Sequence, residues 1–304
     1  MRRRERGKTM LERIQRGPQR RPLAVCVYGV PGVGKTTFGA SAPGALVWCL
    51  EDGASFIDVA KLPAPESWNE ALGVLQELAD KPHDFKTLVV DTLDALEVLA
   101  VAHVCAEAKK KTLADFAWGG GYAALANEWR RFLSGLDNLR AKRAMHIVLI
   151  AHEHRKRHDD PELGQYEMYR PKLQEKAWGL TNEWCDAVLF AQFDAAVFEK
   201  EGQKNRAIVS GRRVLRTVRE TGFVAKNRLG LPRKVDLDWK SFEAAAVPPS
   251  TDVLRKELVE LCTLAGEDVA TKAHGFLADR GESVETLRAA IETVKTYLAE
   301  KSAA

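Results

Sequence analysis

The hydrophobic positions of the chain fall into two alternating periods. Short, continuous apolar runs occur at 23–28, 45–50, 87–90, 145–151 and 187–193. Runs of this length and continuity suit strands buried on both faces of a parallel sheet. Between them, apolar residues recur every three or four positions. Trp68, Leu72, Leu75 and Leu78 line one side of a helix predicted over 67–79, and further helices are predicted over 93–109 and 123–142. Short strands separated by helices predict an α/β fold with a mainly parallel central sheet. Beyond Val247-Pro-Pro-Ser250 the period is helical only. Leu254, Leu258, Leu261 and Leu264 form one stripe there, and Leu287, Ile291, Val294 and Leu298 another. The predicted organisation is an arm over 1–22, a core over 23–246 and a small helical appendage over 251–304.

The ends of the predicted strands carry the chemistry. The first run leads into Gly29-Val30-Pro31-Gly32-Val33-Gly34-Lys35-Thr36, which reads G-x-x-x-x-G-K-[ST], and Thr37 follows just inside a predicted helix. Glycines let backbone N–H groups close on phosphate oxygens, and a helix N-terminus adds partial positive charge. Lys35 would reach the β- and γ-phosphates and the Thr36 hydroxyl would ligate Mg²⁺, so ATP and Mg²⁺ are the expected cofactors. The second run ends in Glu51-Asp52-Gly53. Ligands of open α/β sheets gather at the carboxyl ends of strands. Glu51 is therefore placed where it would orient or deprotonate the attacking water, with a helix-capping acid as the alternative. The third run closes on Asp91, the Walker B pattern in which a carboxylate holds the metal shell, and Asp94 is the second choice. The fourth ends at His152-Glu153-His154. His152 is a candidate sensor of the γ-phosphate, or else a structural histidine. A zinc site from His152, His154 and His158 is disfavoured, because no cysteine or tight carboxylate partner completes it.

Charge changes this picture at one end. The formal net charge is +4, but residues 1–22 hold nine Arg or Lys against Glu5 and Glu12, a local +7, which leaves −3 on the rest. Such an arm fits an anionic polymer as well as it fits a solvated tail. Lys110 and Lys111 precede Trp118-Gly-Gly-Gly-Tyr122, read as a mobile loop whose aromatics would stack on bases, or as a plain connection with two core aromatics. From 153 to about 176 the chain is polar and reads as a long irregular loop that starts with Arg155-Lys156-Arg157, a candidate nucleic-acid contact. A strand over 214–218 would place arginines on one face, as a solvated edge or as a binding track. With 45% hydrophobic and 29% charged residues the composition is that of an ordinary globular protein. No apolar run approaches the ~18 residues that span a bilayer, so no membrane partner is expected. Five scattered cysteines without a C-x-x-C pair point to reduced thiols and a cytoplasmic location.

On these elements, residues 20–245 resemble the RecA-like recombination ATPases, and among them most resemble the small phage group of Sak-type single-strand annealing ATPases. The resemblance rests on the phosphate loop 29–36, on Glu51 where these enzymes place a catalytic glutamate, on Asp91, and on Ala225-Lys226-Asn227-Arg228-Leu229-Gly230-Leu231-Pro232. That last segment looks like the cation–Asn–cation segment whose two cations reach a neighbour's nucleotide. The resemblance implies a RecA-like P-loop core, DNA-stimulated ATP hydrolysis, and annealing or strand exchange on single-stranded DNA. It implies ring or filament oligomers in which Lys226 and Arg228 act in trans. It puts two DNA-binding segments around 111–122 and 153–176, with a single-strand-binding protein as a candidate partner and a bacterial host cytoplasm as the setting. His152 stands where RecA has a glutamine. An AAA-type helicase loader with Arg280 or Arg288 as sensor, and an ATP-gated annealing module with little turnover, are the alternatives. Glu51 argues against the AAA type, which puts its acid directly after the Walker B aspartate, where this chain has Thr92.

Overall fold

A computed structural model describes residues 21–198, 206–247 and 251–303, together with Leu11 and Ile14. Most of the basic arm lies outside the described residues, as do 199–205 and 248–250. The first half of the core runs β1 (Ala24–Gly29), α1 (Lys35–Ala40), β2 (Ala45–Cys49), β3 (Ala60–Leu62), α2 (Trp68–Asp80), β4 (Thr87–Asp91), α3 (Leu93–Glu107) and α4 (Gly120–Arg143). The second half runs β5 (His146–Asp160), β6 (Gly164–Pro171), α5 (Glu175–Trp184), β7 (Ala187–Phe198), β8 (Arg206–Arg216), β9 (Lys226–Asn227), β10 (Lys234–Asp236) and α6 (Trp239–Ala246). Three helices follow, α7 (Thr251–Ala265), α8 (Glu267–Arg280) and α9 (Val284–Ala303).

The strands order as β10-β8-β7-β1-β5-β4-β2-β3, with β6 on β5 and β9 on β7. β7, β1, β5, β4, β2 and β3 are mutually parallel, and β8 and β10 close one edge antiparallel. The continuous apolar runs are explained by a core on each face. Cys26, Tyr28, Trp48, Leu88, Val90 and Leu149 pack under Trp68, Trp129 and Phe132. The alternate residues Val25, Val27, Val89, Val148 and Ile150 pack under Phe38, Trp239 and Phe242. Phe38 meets both Trp239 and Phe242 at 5.6 Å between ring centroids, and truncating so buried an aromatic costs about 3–5 kcal/mol. Side chains cap several helices: the Ser67 hydroxyl accepts from the Glu70 amide, Thr92 from Ala95, Asp238 from Ser241 and Ser283 from Thr286. Leu254, Leu258, Leu287, Ile291 and Val294 form a separate apolar cluster within α7–α9. The α/β core with a mainly parallel sheet and C-terminal helices is as expected.

Three local expectations are corrected. The segment from 153 to 176 is no irregular loop: β5 continues past the sheet and pairs antiparallel with β6, from Glu153 opposite Pro171 to Asp160 opposite Gly164. Both faces of this ribbon carry charge, so period two leaves no apolar trace. Its turn is closed by Asp160, whose carboxylate accepts from the amides of Glu162 at 2.9 Å and Leu163 at 3.1 Å. The triple glycine is no loop either, since α4 begins at Gly120. A Cβ on Gly121 would stand 2.4 Å from the Leu113 carbonyl oxygen, so glycine serves close packing there. Trp118, in left-handed backbone at φ 55°, is fully exposed rather than core. Finally, the strand expected over 214–218 is the end of a longer strand, β8, which starts at Arg206, stops at Arg216 and shifts register against β7 between Phe193 and Ala195.

Candidate nucleotide site

β1 ends at Gly29 in backbone at φ 153°, and a Cβ there would lie 2.0 Å from the carbonyl oxygen of Ala191 on β7. Gly32 and Gly34 take φ of 73° and 104°, so all three glycines adopt backbone that side chains disfavour. The loop they shape leads Val30, Pro31 and Val33 around to Lys35, Thr36 and Thr37 at the start of α1. Lys35 is buried, and its Nζ donates to the carbonyls of Gly29 at 2.8 Å and Val30 at 3.1 Å. Burial pulls the ammonium below its ordinary pKa, against the opposing charges of Glu153, Asp91, Asp94 and Glu51. One cation thus stands among four acids, an imbalance that suits added positive charge.

Asp91 sits at the end of β4, two strands from the phosphate loop, and its Oδ2 accepts from the Thr36 hydroxyl at 2.7 Å. Burial raises the Asp91 pKa, the Thr36 bond lowers it, and the charge of Glu51 raises it again. A Cβ on Gly53 would be 3.8 Å from both Asp91 Oδ2 and Thr36 Oγ1, so the missing side chain leaves that oxygen pair open. Hard oxygen donors beside an open face fit a hydrated Mg²⁺. Thr36 and Asp91 would hold it, and it would neutralise phosphate charge.

The other acids meet over the same edge. Glu51, after β2, accepts from the Thr92 hydroxyl at 3.0 Å, and the Asp91–Thr92 peptide is cis. Through that hydroxyl bond Thr92, the residue after Asp91, orients Glu51. Asp94 receives the His152 amide at 3.1 Å and faces His152 Nδ1 at 3.0 Å, while His152 Nε2 is 3.8 Å from Glu51. Burial would raise the Asp94 pKa, but the bonds from the His152 ring and amide hold it below the carboxylate range. His152 gathers with Glu51 and Asp94, not with His154 and His158, which lie along the ribbon. Glu51 is exposed and flanked by Thr92 and His152.

The remaining candidates lie apart from this cluster. Lys226 Nζ donates to the carbonyls of Asn182, Glu183 (3.0 Å) and Cys185 (2.8 Å), and Arg228 NH1 donates to Glu183 at 3.1 Å. Both cations thus cover the C-terminal carbonyls of α5 within the subunit. Asn227 shapes the segment between them, accepting from the amides of Leu229 and Leu231 and donating to the Leu231 carbonyl. On the ribbon, Arg155 pairs with Glu167 at 3.6 Å and Lys156 with Glu175, while Arg157 has no carboxylate partner among the described residues. Lys110 and Lys111 follow α3, and Tyr122 is partly exposed on the first turn of α4. Glu153 was missed in the sequence. It follows His152 at the root of the ribbon, and its buried Oε2 has no hydrogen-bond partner among the described residues. Its sole signal was its place at the end of an apolar strand.

The family described as an AAA domain matches residues 21–229, and the chain belongs to it. With a phosphate loop following β1 at the carboxyl end of a mainly parallel sheet, the core is that of a P-loop nucleotide-binding domain. Among solved structures the chain is similar to the crystal structure of the RadB recombinase, at 17% identity and a TM-score of 0.36, over 73% of this chain and 90% of that one. No curated protein matches it. Among the described residues no helix is long and apolar enough to cross a membrane.

Proposed function

We propose that the chain is a DNA-stimulated ATPase that works on single-stranded DNA in recombination, by annealing or strand exchange, in the manner of the phage Sak-type ATPases it resembles. One observation supports this above the rest. A single strand, β5, carries His152 beside Glu51 at the nucleotide site and Arg155, Lys156 and Arg157 a few residues further on. A rigid strand with a nucleotide-facing end and a cationic extension is a direct physical link between phosphate and DNA. In this reading ATP binds with Mg²⁺ on residues 29–37 and Asp91, Glu51 orients the water, and His152 responds to the γ-phosphate. Lys110, Lys111, Trp118 and Tyr122 form a second DNA contact, in which the exposed indole would stack on bases. Lys226 and Arg228 complete the site of an adjacent subunit in a ring or filament, and a single-strand-binding protein is a candidate partner. The test is ATP hydrolysis with and without single-stranded DNA. Stimulation supports the reading. Indifference to DNA favours an AAA-type loader, and negligible turnover with retained annealing favours an ATP-gated annealing module.

A further inference from the structure

Besides Lys35, β8 brings a second cation to the phosphate loop, from the same subunit. Residues two apart on a strand share a face, and Leu215 packs in the core with Phe38 and Trp239. Arg213 therefore emerges on the phosphate-loop face of the sheet. Its NH1 lies 3.5 Å from the Val33 carbonyl oxygen, and a Cβ on Gly34 would meet that same nitrogen at 2.7 Å. Gly34 thus both turns the loop and leaves room for the guanidinium. The other β8 arginines with described side chains are neutralised, Arg212 by Asp236 at 2.6 Å and Arg216 by Glu220. Arg213 has no carboxylate partner among the described residues, although it is exposed.

Sheet order decides which part of a nucleotide it faces. Asp91 lies on β4 and Glu51 follows β2, on one side of β1, whereas Arg213 lies on β8, beyond β7 on the other. Hydrolytic groups and Arg213 flank the loop from opposite sides. We infer that Arg213 is a nucleotide-binding residue in cis, contacting the diphosphate that ADP and ATP share, at the end away from the γ-phosphate. This rests on the nucleotide reading of residues 29–36.

Calorimetric titration of the full chain with Mg²⁺-ADP and with a Mg²⁺-bound non-hydrolysable ATP analogue tests it. A charge-assisted bond at a partly solvated site predicts that Arg213→Ala weakens both ligands by about tenfold. Arg213→Lys should recover part of this, and Arg212→Ala on the same strand none of the loss. In turnover, Arg213→Ala should raise KM more than it lowers kcat. Unchanged affinity for both ligands overturns the inference, and loss confined to the ATP analogue overturns the placement at the diphosphate. A wild-type chain that binds neither ligand would instead overturn the nucleotide reading, and this inference with it.

Discussion

Along β5 the chain passes from Ile150, wholly buried between β1 and β4, to Arg157, exposed on a two-stranded ribbon. At the buried end most polar groups near the phosphate loop are committed, Lys35 to two carbonyls, Thr36 to Asp91, Thr92 to Glu51 and His152 to Asp94, while Glu153 Oε2 has no partner among the described residues. At the exposed end the charges face water, and their ion pairs, such as Arg155 with Glu167 at 3.6 Å, are solvated pairs worth little. Removing one buried group should therefore act through a specific partner. Removing a ribbon charge should act through the summed field.

The largest expected effect lies at the buried end. Lys35→Ala should abolish ATP binding and hydrolysis, because the phosphate charge loses its one close loop cation. Stability should fall little, since burying an ammonium is costly in itself. Calorimetry with ATP, alongside thermal unfolding, measures both. Unaltered ATP affinity would remove the site assignment.

Next comes the assembly test. A cation delivered across an interface is worth about 10³- to 10⁵-fold, and a water-orienting acid about 10²- to 10⁴-fold. Arg228→Ala and Glu51→Gln should each be nearly inactive alone, yet regain partial ATPase activity when mixed, since some interfaces pair an intact acid with an intact cation. Within the subunit Arg228 serves the end of α5. If that is its whole role, Arg228→Ala will lower the melting temperature and leave kcat untouched, which would end the trans proposal.

At the exposed end, Arg155, Lys156 and Arg157 changed together to Glu should weaken single-stranded DNA of every sequence alike. Three lost phosphate contacts should reduce the slope of log affinity against log salt by about 2. A slope equal to that of the wild type would return the ribbon to a solvated role.

The same contrast decides what could be read in the sequence. The phosphate loop was legible because its backbone admits only glycine at Gly29, Gly32 and Gly34, and because a buried lysine is rare. Asp91 and Glu51 were legible because each ends an apolar run. The ribbon was not. Arg155 and Arg157 point to one side, Lys156 and His158 to the other, and with no apolar face the pairing signal vanished. Its one local mark was Asp160-Pro161 with Gly164 closing the turn. Gly119-Gly120-Gly121 misled for the opposite reason, because Gly119 takes left-handed backbone ahead of α4 and Gly121 packs tightly on Leu113 and Phe116, which composition cannot distinguish from mobility. That Thr92 supports Glu51 and Asp94 supports His152 depends on contacts between distant strands, which no local pattern carries.

The smallest effect belongs to the joint between the two regions. Glu97, on α3, accepts the Gln174 amide with both carboxyl oxygens, at 2.9 and 3.1 Å, just where the chain leaves β6 for α5. Burial lifts its pKa from 4.5 to about 7; the Gln174 bond opposes the shift and the charge of Asp94 adds to it. A carboxyl whose folded pKa lies above its unfolded value stabilises the fold fully below the unfolded value. It loses that contribution as pH rises through the folded one. Stability should therefore decline between about pH 4.5 and 7 on account of Glu97, by an amount bounded near ~1.4 kcal/mol per pKa unit. Glu97→Gln keeps an acceptor for Gln174 but carries no charge. It should match the wild type near pH 4.5 and exceed it by roughly 1–3 kcal/mol above pH 7 in denaturant unfolding. The gain should be confined to stability, with turnover preserved, if the joint only needs its hydrogen bond. Two unfolding curves that stay parallel across this range would mean that Glu97 is already ionised, and that the root of the ribbon is better hydrated than its burial indicates.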